Sequence, residues 1–196
     1  MTFDLILAGV GGQGVLSVAA VIALGAMKDS LSVRQSEVHG MAQRGGAVQA
    51  HLRLADHPIA SDLIGRGKAD LVLSTEPLES LRYVAYLKPE GALVSSADPV
   101  RNIAAYPELE SLYASIRSLP RHSLIAAEEL ARQAGSVRAS NLVMVGAAAP
   151  FLPVRTESLL AAVQELFGRK GEKVVLVNCR ALEAGLAAVQ GGQASR

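Results

Sequence analysis

The sequence predicts a single α/β domain built on an open, mostly parallel sheet with helices on both faces. Three observations lead there. Short, nearly unbroken apolar runs such as "FDLILAGV" suit strands covered on both sides. Such runs alternate with segments of helix length. The chain has 196 residues, half of them hydrophobic, enough for one sizeable core. The domain is expected over residues 1–190, with 191–196 as a disordered tail.

The elements follow in order. "FDLILAGV" is the first strand, "GGQG" a turn, and "VLSVAAVIALGAM" a helix. This helix is apolar nearly all round, so something is expected to cover its outer side, with a partner chain as the candidate. "SVRQSEV" and "AVQAHLRLA" read as strands two and three. In the latter, Val48, Ala50, Leu52 and Leu54 alternate with Gln49, His51, Arg53 and Ala55, giving a core face and a polar face. "ADLVLSTEP" is a strand running into a helix start, "LESLRYVAYL" a helix, and "KPEGALVSSA" a turn and strand. "PELESLYASIRSL" reads as a helix, and "HSLIAAEELARQAG" as a strand leading into a helix that stops at Gly135. "NLVMVGAAAPFLPV" starts as a helix and breaks at Pro150 and Pro153. "TESLLAAVQELFGRKG" has the clearest helical period. Thr156 is its expected cap, and Leu159, Leu160, Val163, Leu166 and Phe167 form its stripe. "EKVVLVNCRALEAGLAAV" opens as a strand or a helix and ends as a helix.

Composition narrows the function. The net charge is +1, and no basic stripe or aromatic stacking set points to nucleic acid. The single cysteine, Cys179, cannot close an internal disulfide or hold an iron–sulfur cluster alone. It fits a reducing compartment and reads as a small buried residue, not a nucleophile. The N-terminus lacks a basic region ahead of its apolar run, and Val15 to Met27 is too short for a convincing membrane span. A cytoplasmic location is expected. No two histidines have metal-ligand spacing, so no metal site is assigned. His51, His57 and His122 read as structural or solvated.

Two stretches carry chemistry. "GVGGQG" sets Gly9, Gly11 and Gly14 in a GxGxxG spacing between a strand and a helix. Helix-start N–H groups at such a turn face an anion. A ligand site at Gly9, Gly11, Gly12, Gln13 and Gly14 and a plain tight turn are equally supported, and a dinucleotide site with Glu37 on the ribose is a further alternative. The second stretch is "SEVHGMAQRGGAV", residues 36–48. Five side chains able to make specific hydrogen bonds crowd into it. Glu37 and His39 stand at i and i+2 of a strand, on one face, as an acid–base pair would. Arg44 is suited to a phosphate or carboxylate. A glycine-rich surface turn is the plain alternative.

Taken together and in this order, "GVGGQGV" and "SEVHGMAQRGGAV" resemble the small (beta) subunit of indolepyruvate ferredoxin oxidoreductase. That subunit is the counterpart of the gamma subunit or domain of the wider 2-oxoacid:ferredoxin oxidoreductases. The wider group shows a Ser-Tyr-Gly-type sequence before its Arg-Gly-Gly. "VHGMAQRGG" stands here instead, similar to the indolepyruvate branch. The resemblance runs on through "ASNLVMVGA" and the terminal helices.

The resemblance implies a Rossmann-like fold and a place in a complex that decarboxylates a 2-oxoacid oxidatively, an aryl pyruvate in this branch. The acyl group passes to coenzyme A and the electrons to ferredoxin. Thiamine diphosphate, Mg2+ and 4Fe-4S clusters are expected in a large alpha subunit, with no cofactor held by this chain alone. In keeping with that, the sequence has no "GDG" segment leading to an Asn. The isolated chain is expected to be inactive, and a homodimer is one form it could take. Candidate catalytic residues are Glu37, His39 and Arg44. Candidate ligand contacts are Gly9, Gly11, Gly12, Gln13, Gly14, Gln43, Arg44, Gly45 and Gly46. Asn141 is read as a helix cap in preference to a cleft residue.

Overall fold

The computed structural model describes residues 1–39 and 45–193. Six strands form one sheet in the order β2-β3-β1-β4-β5-β6. They are β1 (Thr2–Val10), β2 (Ser32–His39), β3 (Ala47–Ala55), β4 (Ala69–Ser74), β5 (Leu87–Ser96) and β6 (His122–Ile125). β1, β4, β5 and β6 pair in parallel, while β3 runs antiparallel between β1 and β2. The sheet is thus mixed but mostly parallel, and a hairpin fills the place where a simple crossover would have set β2 beside β1.

Both faces are covered. Leu5, Leu7, Leu71, Leu73 and Val94 point into a large core beneath α1 (Val15–Lys28), α4 (Ala127–Ala134), α5 (Ser140–Ala148), α6 (Thr156–Phe167) and α7 (Glu172–Gln193). Ile6, Val72 and Leu93 point the other way, into a smaller core with Ile116 of α3 (Leu109–Arg117), on the face that also carries α2 (Pro77–Arg82). This two-sided burial is why β1, β4 and β5 read as unbroken apolar runs. The third strand alternates as predicted, but its polar face is not solvated. His51 is 5 % exposed, and Arg53 grips Asp4 across the β1–β3 ladder at 2.8 and 3.2 Å.

Four expectations change. Part of the outer side of α1 is covered by this chain itself, while Leu16 and Met27 stay 40 % and 61 % exposed. α6 lies against it so closely at Gly25 that an added Cβ would stand 2.9 Å from Leu159. Thr156 does not cap α6. It is the first helical residue, and Asp29, at the end of α1, accepts the Arg155 N–H and the Ser158 hydroxyl instead. In the α6 stripe, Leu166 is 40 % exposed and Ala162 takes a buried place. Finally, residues 172–193 form one helix with no strand, extending into the segment expected to be a tail. In length and mean hydropathy (1.2), α7 is the one helix among the described residues that would permit a membrane span; here it lies along α5.

The α5–α7 contact is made by backbone. A Cβ on Gly146 would lie 1.8 Å from the Leu182 carbonyl oxygen, and one on Gly185 would lie 1.9 Å from that of Val143. Each glycine is the gap that admits the other helix.

Candidate functional site

The crossover after β1 runs through α1 toward β2, while the connection after β4 runs through α2 toward β5. Neighbouring strands therefore part company at the carboxyl ends of β1 and β4, where open α/β sheets hold their ligands. The glycine turn lies there.

The turn is tied into the protein. Gly9 sits where a Cβ would meet the Thr75 hydroxyl at 2.1 Å and Val15 at 2.8 Å, so its role is close packing. The Gln13 amide oxygen accepts the Val10 N–H at 2.9 Å and the Thr75 hydroxyl at 2.9 Å, and its NH2 donates to the Thr75 carbonyl at 3.0 Å. Gln13 thus joins the ends of β1 and β4. Gly14 takes a left-handed conformation (φ 78°) beneath the Asn141 side chain, 2.8 Å from where its Cβ would be. Gly12, also left-handed (φ 103°), has open space around it.

The described end of the loop, Gly45 and Gly46, meets this turn through the backbone. Gly11 N–H donates to the Gly46 carbonyl at 2.8 Å, and Gly45 N–H donates to the Gly11 carbonyl at 3.3 Å. The Asn102 amide donates to the Gly45 carbonyl at 2.6 Å. The segment carrying Asn102 is itself anchored by Glu76, a buried carboxylate that accepts the Val100 N–H at 3.3 Å and the Tyr106 hydroxyl. Burial and that carboxylate together push the Tyr106 hydroxyl's pKa well up.

Glu37 is exposed and accepts from Gln35 on the same face of β2. Its backbone faces Ala50 of β3, which faces Leu7 of β1. Two strand spacings, roughly 10 Å, therefore separate Glu37 from β1, and the ribose role it would have beside a classical dinucleotide turn does not fit. His39 ends β2 opposite Val48. The His39 side chain, Gln43 and Arg44 lie outside the described residues.

Beside Gly12, Gln13 and Thr75 opens a cleft of about 520 Å3 whose other walls carry Ser96, Asp98, Arg138, Ser140 and Asn141. Asp98 is already engaged: it accepts the Ser96 hydroxyl at 2.7 Å and the Glu128 N–H, in the first turn of α4, at 2.8 Å. Asn141 does not cap α5. The residue preceding α5 is Ala139, and Asn141 is 9 % exposed at the cleft wall, its Oδ1 accepting the Leu142 N–H at 3.0 Å. The walls offer hydroxyls, the amides of Gln13 and Asn141, the carboxylates of Asp98 and Glu128 and one guanidinium. They contain no nucleophile–base pair, so the cleft is equipped to bind and orient a polar group rather than to transform one alone. Among the described residues, no three His, Cys, Asp or Glu side chains are placed to hold a metal. Cys179 is half-buried, and burial pushes its thiol pKa up, which disfavours the reactive thiolate.

Sequence reasoning missed Ser96, Asp98, Arg138 and Ser140. The one signal for Ser96 and Asp98 was their place after the predicted β5, at the carboxyl edge. Nothing in the sequence brings Arg138, just before α5, and Ser140, its first residue, to the same edge.

Comparison with known proteins agrees with this architecture. A 2-oxoglutarate:ferredoxin oxidoreductase from Magnetococcus marinus superposes with a TM-score of 0.77 at 21 % identity; the match covers 97 % of this chain and 31 % of that one. The gamma subunit of a keto/oxoacid ferredoxin oxidoreductase from Geobacter sulfurreducens gives 0.72 at 22 % identity, covering 96 % and 99 %. At these identities the likeness is one of fold. In sequence, the chain is 36 % identical to the indolepyruvate oxidoreductase subunit IorB of Archaeoglobus fulgidus over 94 % of both chains, and 35 % identical to that of Pyrococcus horikoshii over 96 % of both. Subunits of ketoisovalerate, 2-oxoglutarate and pyruvate oxidoreductases match at 26–30 %. Residues 4–188 match the pyruvate ferredoxin/flavodoxin oxidoreductase family, and with near-full-length relatives above 30 % identity the chain belongs to that family.

Proposed function

We propose that the chain is the small, non-thiamine-binding subunit of an indolepyruvate-type 2-oxoacid:ferredoxin oxidoreductase. The observation that carries this is the gap in identity: 33–36 % to indolepyruvate subunits against 26–30 % to subunits acting on other 2-oxoacids. The reading includes a large partner bearing thiamine diphosphate, Mg2+ and 4Fe-4S clusters, coenzyme A as co-substrate, ferredoxin as acceptor and a cytoplasmic location. The glycine turn does not fit the diphosphate of thiamine diphosphate, and a single cysteine does not fit a cluster. The Gly11 and Gln13 N–H groups that a diphosphate would need already donate to Gly46 and Val10, and one cysteine is no cluster ligand set. The decarboxylation and electron transfer therefore belong to the partner.

The part left to this chain is binding and orientation at the β1/β4 edge. The glycine turn holds the Gly45–Gly46 end of the loop, so Gly12, Glu37, His39, Gln43 and Arg44 are the groups proposed to meet the partner's active site or the coenzyme A path, with Arg44 on an anion. The test is anaerobic co-purification with the large subunit, followed by coenzyme A-dependent ferredoxin reduction with indolepyruvate, pyruvate and 2-oxoglutarate. Preference for indolepyruvate supports the reading; preference for either of the others overturns the substrate class, and failure to capture a large partner overturns the subunit role. Arg44→Ala should leave assembly intact and lower turnover about tenfold to a hundredfold, the loss of one charge-assisted hydrogen bond. Unchanged turnover would remove Arg44 from the site.

A further inference from the structure

The switch-point cleft borders two other features. It shares Arg138 and Asn141 with a cavity of about 570 Å3 at the start of α7. Asp98 and Val100, on a further wall, belong to residues 97–108, the connection between β5 and α3. This connection has no helix or strand of its own, and residues 101–105 are exposed. A stretch of that kind keeps one path only where side chains from elsewhere hold it. Its first residue is fixed to the sheet and to α3: the Ala97 N–H donates to the Ile125 carbonyl at 2.7 Å, and the Ala97 carbonyl accepts the Tyr113 hydroxyl at 2.5 Å. Its middle is held by Glu76.

Glu76 does more than its helix needs. It is the N-cap of α2, where its Oε2 accepts the Glu79 N–H at 2.7 Å. Asp, Asn, Ser or Thr makes that bond with a shorter side chain, and those are the residues that helix N-termini select. Glu76 is only 1 % exposed, and a buried carboxylate is costly unless donors reach its oxygens. The longer side chain lets the second oxygen leave the helix. Oε1 accepts the Val100 N–H at 3.3 Å and the Tyr106 hydroxyl, so both ends of the exposed stretch converge on one atom. Between them the Asn102 N–H closes a tight turn on the Val100 carbonyl at 2.8 Å, and the Asn102 side-chain amide donates to the Gly45 carbonyl at 2.6 Å. Gly45 and Gly46 in turn bond to the Gly11 backbone. The contacts thus run from the end of β4 through Glu76 and Asn102 to the loop and the glycine turn.

We propose that Glu76 is a positioning residue for this site: it clamps residues 100–106, and the clamped Asn102 sets the place of Gly45 against the glycine turn. Two of the three donors to the Glu76 carboxylate come from the connection, which a cap alone leaves unexplained. Gly45 is bonded to Arg44, the group assigned an anion above, so the consequence of the clamp for turnover rests on that reading. The clamp itself does not, because every contact in it lies within this chain.

The test has two arms. In the isolated chain, NMR follows amide hydrogen exchange at Gly11 and Gly45 in three variants. Tyr106→Phe frees the connection from Glu76 and leaves the α2 cap. Glu76→Asp keeps a capping carboxylate but shortens its reach. Asn102→Asp keeps the side chain's shape and removes the donor, at an exposed position. Each should speed exchange at both amides by about tenfold or more, while amides inside β1 such as Leu7 keep their wild-type rates. Tyr106→Phe added to Asn102→Asp should change nothing further, because the contact it acts through is already gone. Wild-type exchange at Gly11 and Gly45 in any single variant, additive effects in the double variant, or exchange raised alike across the sheet overturns the clamp. This arm decides the clamp whatever the partner proves to be. In the complex with the large subunit, Tyr106→Phe and Asn102→Asp should lower kcat about tenfold and leave KM for the 2-oxoacid unchanged, with Arg44→Ala as the reference. If Arg44→Ala slows turnover and these two do not, the positioning role falls and the proposed function stands. If all three turn over as the wild type does, the loop leaves the site and the role of Glu76 goes with it.

Discussion

Asp29 should be worth about 2 kcal/mol to the folded chain, and that value should depend on pH. The residue closes α1 and receives the start of α6: Arg155 N–H at 2.8 Å, Arg155 Nε at 2.8 Å and the Ser158 hydroxyl at 2.6 Å. Its side chain is only 10 % exposed. Burial alone would raise its pKa, but the bonds from Arg155 and Ser158 more than offset that and bring it from 3.8 to about 2. A drop of nearly two units corresponds to about 2 kcal/mol of preference for the folded state once the carboxylate is ionised. Arg155 is 71 % exposed, so salt screens its share and the figure is a ceiling. A depressed folded pKa means the contribution is complete above about pH 4 and disappears as pH falls toward 2. Asp29→Ala should therefore lower the urea-unfolding free energy by about 2 kcal/mol at pH 7, or the melting midpoint by roughly 4–8 °C. The difference between wild type and variant should shrink between pH 4 and 3. A loss at pH 7 below about 0.5 kcal/mol, the size of an ordinary surface change, would refute the reasoning, as would a gap that does not move with pH.

Three other outcomes are expected. His51 accepts the Ile64 N–H on Nδ1 at 2.9 Å, which forbids a proton there; burial lowers its pKa from 6.5, against the opposing pull of Asp62 and Asp4. The unfolded chain then binds the extra proton, so stability should fall as pH drops below about 6.5. His51→Asn, which keeps an acceptor near that position, should flatten the urea midpoint's dependence between pH 7.5 and 5.5, and an unchanged slope would count against the locked tautomer. Gly185→Ala must push α7 off the Val143 carbonyl and should cost more than about 3 kcal/mol, or prevent soluble expression; a melting midpoint like that of the wild type would show that the helices separate freely. Glu79 is buried with one oxygen unbonded, and burial raises its pKa despite the attraction of Arg82. Glu79→Gln should be neutral or stabilising at neutral pH, with any gain fading as the acid side is approached; marked destabilisation at pH 7 would mean that the Arg82 pair outweighs burial.

The sheet was legible because its strands obey simple rules. β1, β4 and β5 bury both faces, so their apolar runs are continuous, and β3 alternates because one side carries Arg53 and His51. The order of strands was not legible. Nothing local to β2 or β3 says that β3 inserts beside β1, and that insertion is what removes Glu37 from the glycine turn. The helix caps failed for a similar reason: Thr156 has the right chemistry, but Asp29, 127 positions earlier, takes the Arg155 N–H and the Ser158 hydroxyl across the α1–α6 contact. At the site, the turn and the loop were visible as unusual densities of glycine and hydrogen-bonding side chains. Their backbone pairing at Gly11 and Gly46, and the cavity at the start of α7, depend on contacts between segments far apart in the chain.

The crossing of α5 and α7 at Gly146 and Gly185 has a consequence for how this protein can change over time. The distance between these helices is set by main-chain atoms in contact, and side chains at the cavity they border take no part in setting it. Asn141, Lys173 and Val177 can therefore be exchanged without the frame drifting, whereas any residue larger than glycine at the crossing shifts everything beyond it. The two classes of position should tolerate substitution very differently. Variation in this chain would then come by replacing single residues beside the cavity, with the architecture held constant.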